Sequence, residues 1–240
     1  MEIITKQDYE KLIKKLKQMS CGKDFIEFSK KIIRTNKEII GVKTPVLRKL
    51  AKEISKQKHD GLFIYKNNKY YEEILLRAMV ISFEKDFEKA KLMLLELYRD
   101  IDNWAIVDTI VGSLAFVKNT EEEQSFNYFK SLLCGEEFEI RFGIVAFLKY
   151  FIYNEKWIEK TFDAIKTINC EKYYVEMAIA WLIAEVLVKY PQNAIKNMQK
   201  IIKNNHFNKF IVNKSIQKAC ESYRIDKELK DKLKELRVKC

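Results

Sequence analysis

The segment L-R-A-M-V-I-S-F at residues 76–83 returns in similar form as I-R-F-G-I-V-A-F at residues 140–147. Arg77 and Arg141 hold the same place in the two segments, and apolar residues follow each of them at helical spacing. A third version, V-E-M-A-I-A-W-L, begins 35 residues after the second. The first two begin 64 residues apart. Repeated helix pairs usually run to about 40 residues, so this offset corresponds to two repeats of a short unit. The repetition predicts an α-solenoid, a stack of helix pairs that share one core.

Glycine and proline are scarce in the rest of the chain, with six and two copies among 240 residues. Both residues break helices, so their scarcity favours long helices joined by short polar loops and argues against an all-β sandwich. No low-complexity linker divides the sequence. We therefore predict an all-α fold, a right-handed α-solenoid of antiparallel helix pairs, as a single domain over residues 1–240.

Local signals predict where the helices begin. Thr44 is expected to be an N-cap with Pro45 in the first turn, and Thr120 to open a capping box. Asn154 and Asn169 are expected to cap two further helices, the second of which ends at Tyr190 before a proline starts another. The apolar periodicity predicts the remaining helices over residues 8–19, 24–33, 70–83, 86–98, 208–223 and 226–237, with a polar loop over 56–69.

The chain is strongly basic, with a formal net charge of +11. A charge of this size suggests a polyanionic partner, because each neutralised phosphate releases condensed counterions. The same charge also fits a lysine-rich, AT-biased proteome in which surface lysines accumulate without a specific role. Charge alone leaves both explanations open.

Cysteine usage and hydropathy favour a cytosolic protein, in the cytosol or nucleoid of a prokaryote. The five cysteines are Cys21, Cys134, Cys170, Cys220 and Cys240. They are scattered and form no C-x-x-C pair, as expected of reduced thiols. The first residues form an amphipathic pattern without the apolar core of a signal peptide. No run of 18 apolar residues occurs, so we expect no membrane association.

Motifs for nucleotide hydrolysis, dinucleotide binding, zinc proteolysis and serine hydrolysis are missing from the sequence. His59 and His206 are the only histidines, and both lie in polar segments. A histidine base or a zinc site is therefore not expected, and we predict no metal and no nucleotide or other cofactor.

Trp104 and Asp108 lie four residues apart in I-D-N-W-A-I-V-D-T-I-V-G-S-L-A-F, on one ridge of a predicted helix. They flank its apolar arc, which consists of Ile106, Val107, Ile110, Leu114 and Val117. A carboxylate this close to a packed face is costly unless it is paired or faces a cleft. The pair is therefore either a site or a structural contact, in which Asp108 bonds a neighbouring helix end and Trp104 packs.

Arg141 and Trp181 are further candidates. Arg141 falls among Ile144, Val145 and Leu148, so it points inward or towards a concave face. An inward guanidinium needs an anion, either a carboxylate such as Asp108 or a phosphate. The equivalence of Arg141 with Arg77 in the repeat favours a structural role instead, so a structural and a functional role both stay open. Trp181 shares a helix face with Tyr174, Met177 and Val188 and is therefore expected in the core. Only a companion aromatic and a basic rim would make it a platform for a base.

Four segments together resemble the AlkD-like alkylpurine DNA glycosylases, the DNA alkylation repair family of HEAT-like repeat proteins. They are I-I-G-V-K-T-P-V-L-R (39–48), N-W-A-I-V-D (103–108), I-R-F-G-I-V-A-F-L-K (140–149) and A-I-A-W (178–181). Their order and spacing carry the resemblance: Arg141 follows Asp108 by 33 positions, and Trp181 follows Arg141 by 40. It extends from about Phe25 to Tyr223.

The resemblance implies a C-shaped solenoid whose basic concave groove holds duplex DNA. It places the family's catalytic aspartate at Asp108, its two groove-lining tryptophans at Trp104 and Trp181, and the arginine beside the aspartate at Arg141. The DNA-backbone contacts that it implies fall on Thr44, Arg48 and Lys149.

The implied reaction is hydrolysis of the N-glycosidic bond of cationic N3- or N7-alkylated purines in double-stranded DNA, a step of base excision repair. A cationic purine is a good leaving group, so a carboxylate that stabilises the oxocarbenium-like sugar can suffice without metal or histidine. We expect a monomer whose partner is DNA containing alkylated bases.

Two positions depart from the family pattern. Ala184 stands where the glycosylases carry a basic residue, and Phe28 stands near the place of a tyrosine. Both changes remove possible DNA contacts. Two alternatives therefore stay open: a catalytically inactive HEAT-repeat protein that binds damaged or branched DNA, and a protein-binding scaffold.

Overall fold

The computed structural model describes residues 1–169 and 171–238, and this part of the chain is all-α, as predicted. Extended pairing within it is limited to one parallel bridge between Glu38 and Tyr70. The helices are α1 (Lys6–Gln18), α2 (Lys23–Ile33), α3 (Thr44–Ile54), α4 (Gly61–Ile64), α5 (Tyr71–Ser82), α6 (Phe87–Tyr98), α7 (Trp104–Ile110), α8 (Glu122–Ser131), α9 (Glu137–Tyr150), α10 (Glu155–Ile165), α11 (Tyr173–Lys189), α12 (Ala194–Asn204), α13 (Lys209–Glu221) and α14 (Lys227–Glu235). Short 3-10 helices cover Val111–Ser113, Ala115–Asn119, Leu132–Cys134 and Pro191–Asn193.

None of the helices in the described ranges is long and apolar enough to cross a membrane. The thiols of Cys21, Cys134 and Cys220 are free, whereas Cys170 and Cys240 lie outside the described residues. The basic groove stays a prediction.

Two predicted N-caps are wrong. α3 begins at Thr44 itself, because the extended residue before it is Lys43, and an N-cap must be extended rather than helical. α11 begins at Tyr173 with Lys172 as its extended cap, so Asn169 lies too far upstream to cap it. The cap at Asn154 is confirmed, since its side chain accepts a hydrogen bond from the backbone N–H of Trp157 at 3.0 Å.

Two other segments differ from their predictions. Within the predicted loop 56–69, the turn of α4 buries Leu62, and the N–H of Gly61 donates to the carbonyl of Ile3 at 2.9 Å. The helix predicted to open at Thr120 begins at Glu122, and the Thr120 hydroxyl donates to the carbonyl of Phe116 at 2.8 Å; the capping box itself stays a prediction.

The chain forms two compact units, Met1–Ser125 and Phe126–Cys240. In unit 1, α5 is the central helix, and all twelve of its side chains are buried. It packs against α3, α6 and α7. The burial of α5 extends to three charged residues, each of which is hydrogen-bonded: Glu72, Glu73 and Arg77.

In unit 2, α11 packs against both α9 and α13. Nine consecutive residues of α9 are buried, from Ile140 to Leu148. A cluster of aromatic rings with centroids 4.8–6.1 Å apart fills the space beside α9: Phe126, Phe147, Phe151 and Trp157. Large rings supply much of the buried apolar area of such a core.

Candidate nucleic-acid interface

The helix that carries Trp104 and Asp108 starts at a well-built cap. Asn103 is fully buried, and its side-chain oxygen accepts hydrogen bonds from the N–H groups of Ala105 and Ile106 at 3.0 and 3.3 Å. Its amide nitrogen donates to Asp102 at 2.8 Å. Asn103 was missed by the sequence analysis, although an asparagine directly before an apolar helical pattern is a known N-cap signal.

Asp102 ties the start of α7 to the segment that follows α2. Its carboxylate accepts hydrogen bonds from the hydroxyl of Thr35 at 2.7 and 2.8 Å and from the N–H of Asn36 at 2.8 Å. Hydrogen bonds to a charged acceptor are among the stronger ones in proteins. Asp102 therefore fixes where α7 begins and is a second positioning residue that the sequence did not reveal.

Trp104 and Asp108 are both half-exposed, one helical turn apart, whereas the intervening residues of α7 are buried. The indole Nε1–H of Trp104 donates to the carbonyl of Ile32 at 3.3 Å, which holds the ring against the end of α2. The predicted pair thus lies on the accessible edge of α7. Its indole has a defined orientation.

Two exposed apolar side chains of α2 lie on the same side of that helix. Phe28 is 60% exposed and Ile32 is 43% exposed, one turn apart. The indole of Trp104 bonds the backbone of α2 at Ile32, one of these two residues. We refer to Phe28, Ile32, Trp104 and Asp108 as the α7 surface. It combines large apolar side chains with one carboxylate.

A neighbouring helix bonds the last turn of α7 and the 3-10 turn that follows it. Arg48 on α3 donates to the carbonyl of Thr109 at 2.9 Å and to the hydroxyl of Ser113 at 3.3 Å. The predicted helix through Val117 is wrong: α7 stops at Ile110, and Phe116 rather than Val117 fills the core. A guanidinium has five N–H donors, so Arg48 has capacity beyond these two bonds. Thr44, at the start of α3, is exposed.

The segment before α3 is held by a buried carboxylate. Glu72 is 1% exposed and accepts hydrogen bonds from the N–H groups of Ile40, Gly41 and Val42 at 2.8, 2.6 and 3.2 Å. Gly41 has a φ of +90°, and a Cβ there would lie 2.6 Å from the side chain of Ile26. A residue with a side chain would be strained in this position. These contacts explain the local sequence of residues 39–42 and place the start of α3.

In unit 2, the middle of α11, from Ala178 to Val188, is buried except at Trp181 and Glu185. Tyr174, Met177, Trp181 and Glu185 are half-exposed at spacings of three and four residues, while most residues between them are buried. We call these four residues the α11 stripe. The expectation that Trp181 belongs to the core is therefore wrong, because the helix presents this face to solvent.

A lysine lies over the indole of this stripe. The Nζ of Lys149 on α9 is 5.0 Å from the centre of the Trp181 ring, within range of a cation–π contact. Arg141, on the same helix, is buried and donates to the carbonyl of Tyr174 at 2.8 Å. Of the residues predicted for the site in unit 2, Lys149 and Trp181 are in direct contact.

Ala184 is buried beside a pocket of about 170 Å³ next to Trp181. Lys218 of α13 lines the same pocket, so a basic side chain reaches this place from another helix. The pocket also contains two carboxylates, Glu185 and Glu221, the first of which pairs with Arg224 at 2.7 Å.

Within residues 1–169 and 171–238, no group of three or more histidine, cysteine and acidic side chains is arranged to hold a metal ion.

A family model described as DNA alkylation repair enzyme matches residues 12–221 of the chain. Neither the curated proteins nor the solved structures contain a match.

Proposed function

The chain belongs to the family of DNA alkylation repair enzymes, and on that premise we propose that it is a DNA glycosylase. It hydrolyses the N-glycosidic bond of cationic N3- and N7-alkylated purines in duplex DNA. The observation that carries the proposal is the placement of Trp104 and Asp108 on the accessible edge of α7, with their cap and backbone fixed by buried hydrogen bonds.

Asp108 has the central role in this proposal. As the bond between the sugar and the purine breaks, positive charge develops on the deoxyribose, and a nearby carboxylate stabilises it. The same carboxylate orients the attacking water. The alkylated purine is already cationic, so it departs without a strong general acid.

The atoms balance without a cofactor. The electron pair of the N-glycosidic bond goes to the purine, which leaves as a neutral base. The hydroxyl part of water bonds to C1′ of the sugar, and the remaining proton passes to solvent. The cationic base is attracted to the face of the Trp104 indole, by about 0.5–2 kcal/mol for such a contact.

The basic groups of each unit would bind the DNA backbone. In unit 1, Arg48 keeps spare donors beside α7 and Thr44 is exposed. In unit 2, the exposed ammonium of Lys149 lies over Trp181. Phosphate oxygens accept hydrogen bonds from such groups and thereby position a duplex without reading its sequence.

The test is release of alkylpurine from methylated duplex DNA by wild-type protein and by Asp108→Asn. Because the amide keeps the shape but removes the charge, we expect at least about a hundredfold loss of rate, the scale at which one preorganised electrostatic contact acts. Binding to the same duplex should persist.

The matched control is Asp163→Asn, which makes the same chemical change at a carboxylate on α10 whose side chain is 76% exposed. It should release base at the wild-type rate. The proposal is wrong if wild type releases no alkylpurine above the spontaneous rate. Duplex binding without release would favour the inactive DNA-binding alternative, and the loss of both would favour the protein scaffold.

A further inference from the structure

An open pocket of unit 2 lies at the start of α13 and differs in chemistry from the α11 stripe. Its volume is about 460 Å³, within the range of about 300–1,000 Å³ that small-ligand sites occupy. Six side chains line it, three of them basic and none acidic: Lys209, Phe210, Asn213, Lys214, Gln217 and Arg237. We call it the Phe210 pocket.

The aromatic wall of this pocket is unusually open to solvent. Phe210 is 39% exposed, and its ring lies 6.1 Å from that of Tyr173, which is 54% exposed. Large apolar side chains that face solvent next to one another mark interaction sites more often than ordinary surface. The two rings offer a face on which a planar group can stack.

The basic wall is built by two different segments. Lys214 is half-buried on α13, and its ammonium donates to the neutral amide of Gln217 at 3.0 Å. Arg237 follows α14 and is brought to the pocket by Asn213, whose side chain exchanges two hydrogen bonds with the backbone of Val238, at 2.9 and 3.0 Å. These bonds hold the backbone directly after Arg237 next to α13.

We propose that the Phe210 pocket binds an unpaired nucleotide of single-stranded DNA. A base stacks on Phe210, and its phosphate pairs with Lys214 and Arg237. Exposed aromatic rings interleaved with cations are the combination by which proteins hold single strands without sequence preference. A site for duplex backbone alone would need the cations but not the exposed ring.

Lys218 extends the basic face of α13. It follows Lys214 by one turn and lines the smaller pocket beside Trp181, together with the carboxylates of Glu185 and Glu221. The single-strand site goes beyond the glycosylase activity, because release of a base from a fully paired duplex does not require it.

The experiment measures affinity for a fluorescent oligothymidine and for a blunt duplex, by anisotropy at low salt. For Phe210→Ala we expect at least about fivefold weaker binding of the oligothymidine, from the loss of one stacked base. Binding of the duplex should change little. The matched control is Tyr223→Ala, which removes an aromatic side chain that is 94% exposed elsewhere in unit 2 and should leave both affinities unchanged.

A second variant tests the basic wall. Lys214→Gln combined with Arg237→Gln should reduce the slope of log K against log salt for oligothymidine binding by about 0.7, the contribution of the one phosphate that the two cations hold. The control is Lys196→Gln, which changes an exposed lysine on α12. It should leave the salt slope of oligothymidine binding unchanged.

Three results would overturn the inference: wild type fails to bind oligothymidine, Phe210→Ala binds it as well as wild type, or the pocket variants weaken oligothymidine and duplex by the same factor. Helical content measured by circular dichroism should be unchanged in every variant, which separates a binding defect from unfolding. Base release from alkylated duplex should also be unchanged in Phe210→Ala, so the result is independent of the glycosylase proposal.

Discussion

At the scale of single residues, the two arginines that the repeat makes equivalent have different partners. Arg77 is 1% exposed and donates to the carboxylate of Asp100 at 2.9 Å and to the side chain of Asn68. Arg141 is also buried, but it donates to the backbone carbonyl of Tyr174. The charge of Arg77 is matched by a carboxylate within unit 1, which gives this arginine a structural role.

The Arg77–Asp100 pair should be essential for the stability of unit 1. Asp100→Asn leaves a buried guanidinium without its counter-charge, so we expect the free energy of unfolding to fall by about 3 kcal/mol, the cost of breaking a buried pair. Urea denaturation at pH 7 measures it. Adding Arg77→Met should recover part of the loss, because an apolar side chain has no charge to pair. If Asp100→Asn unfolds like wild type, the pair contributes nothing.

The same pair predicts a pH dependence. Burial raises the pKa of Asp100, but hydrogen bonds and charge from Arg77 and Lys66 outweigh it and hold the pKa below its usual value of 3.8. The carboxylate therefore stabilises the fold above pH 3.8, and this contribution is lost as the pH falls through the lower, folded-state pKa. The difference in unfolding free energy between wild type and Asp100→Asn should shrink over that range, and a constant difference would contradict the assignment.

At the scale of elements, α7 is a helix of seven residues that depends on contacts at both of its ends. Asn103 caps its start, and Arg48 bonds a carbonyl of its last turn. Short helices are marginal by themselves and take their stability from tertiary contacts. The position of Asp108 therefore depends on residues that do no chemistry.

Asn103→Ala should separate positioning from general stability. Loss of an N-cap costs about 1–2 kcal/mol, and we expect base release to fall together with the unfolding free energy as α7 frays. Asn154→Ala removes the same type of cap from α10 and should lower stability by a similar amount without slowing base release. Equal effects of the two variants on release would show that the cap of α7 has no specific role.

At the scale of the whole molecule, the formal net charge of +11 should govern association with DNA. Each neutralised phosphate of a duplex contributes about 0.9 to the slope of log K against log salt. We expect Arg48→Gln and Lys149→Gln each to reduce the slope by about that amount, as measured by anisotropy between 50 and 200 mM salt. A duplex affinity that does not vary with salt would show that the charge has no part in binding.

The sequence by itself determined the helical class, most helix positions and the shared edge of Trp104 and Asp108. These follow from local rules: helix breakers are scarce, and residues four apart lie on one ridge. The cap at Asn154 is equally local, because a cap bonds N–H groups two or three residues away.

Only the tertiary structure decided the rest. Periodicity gives the faces of a helix but not which face a neighbour covers, so the exposure of Trp181 became known only from the packing of α9 and α13 against α11. The end of α7 is bonded by Arg48, 61 residues before Thr109, and the segment 40–42 is held by Glu72, some thirty residues downstream. Such bonds join residues that are distant in the chain, and no local spacing contains them.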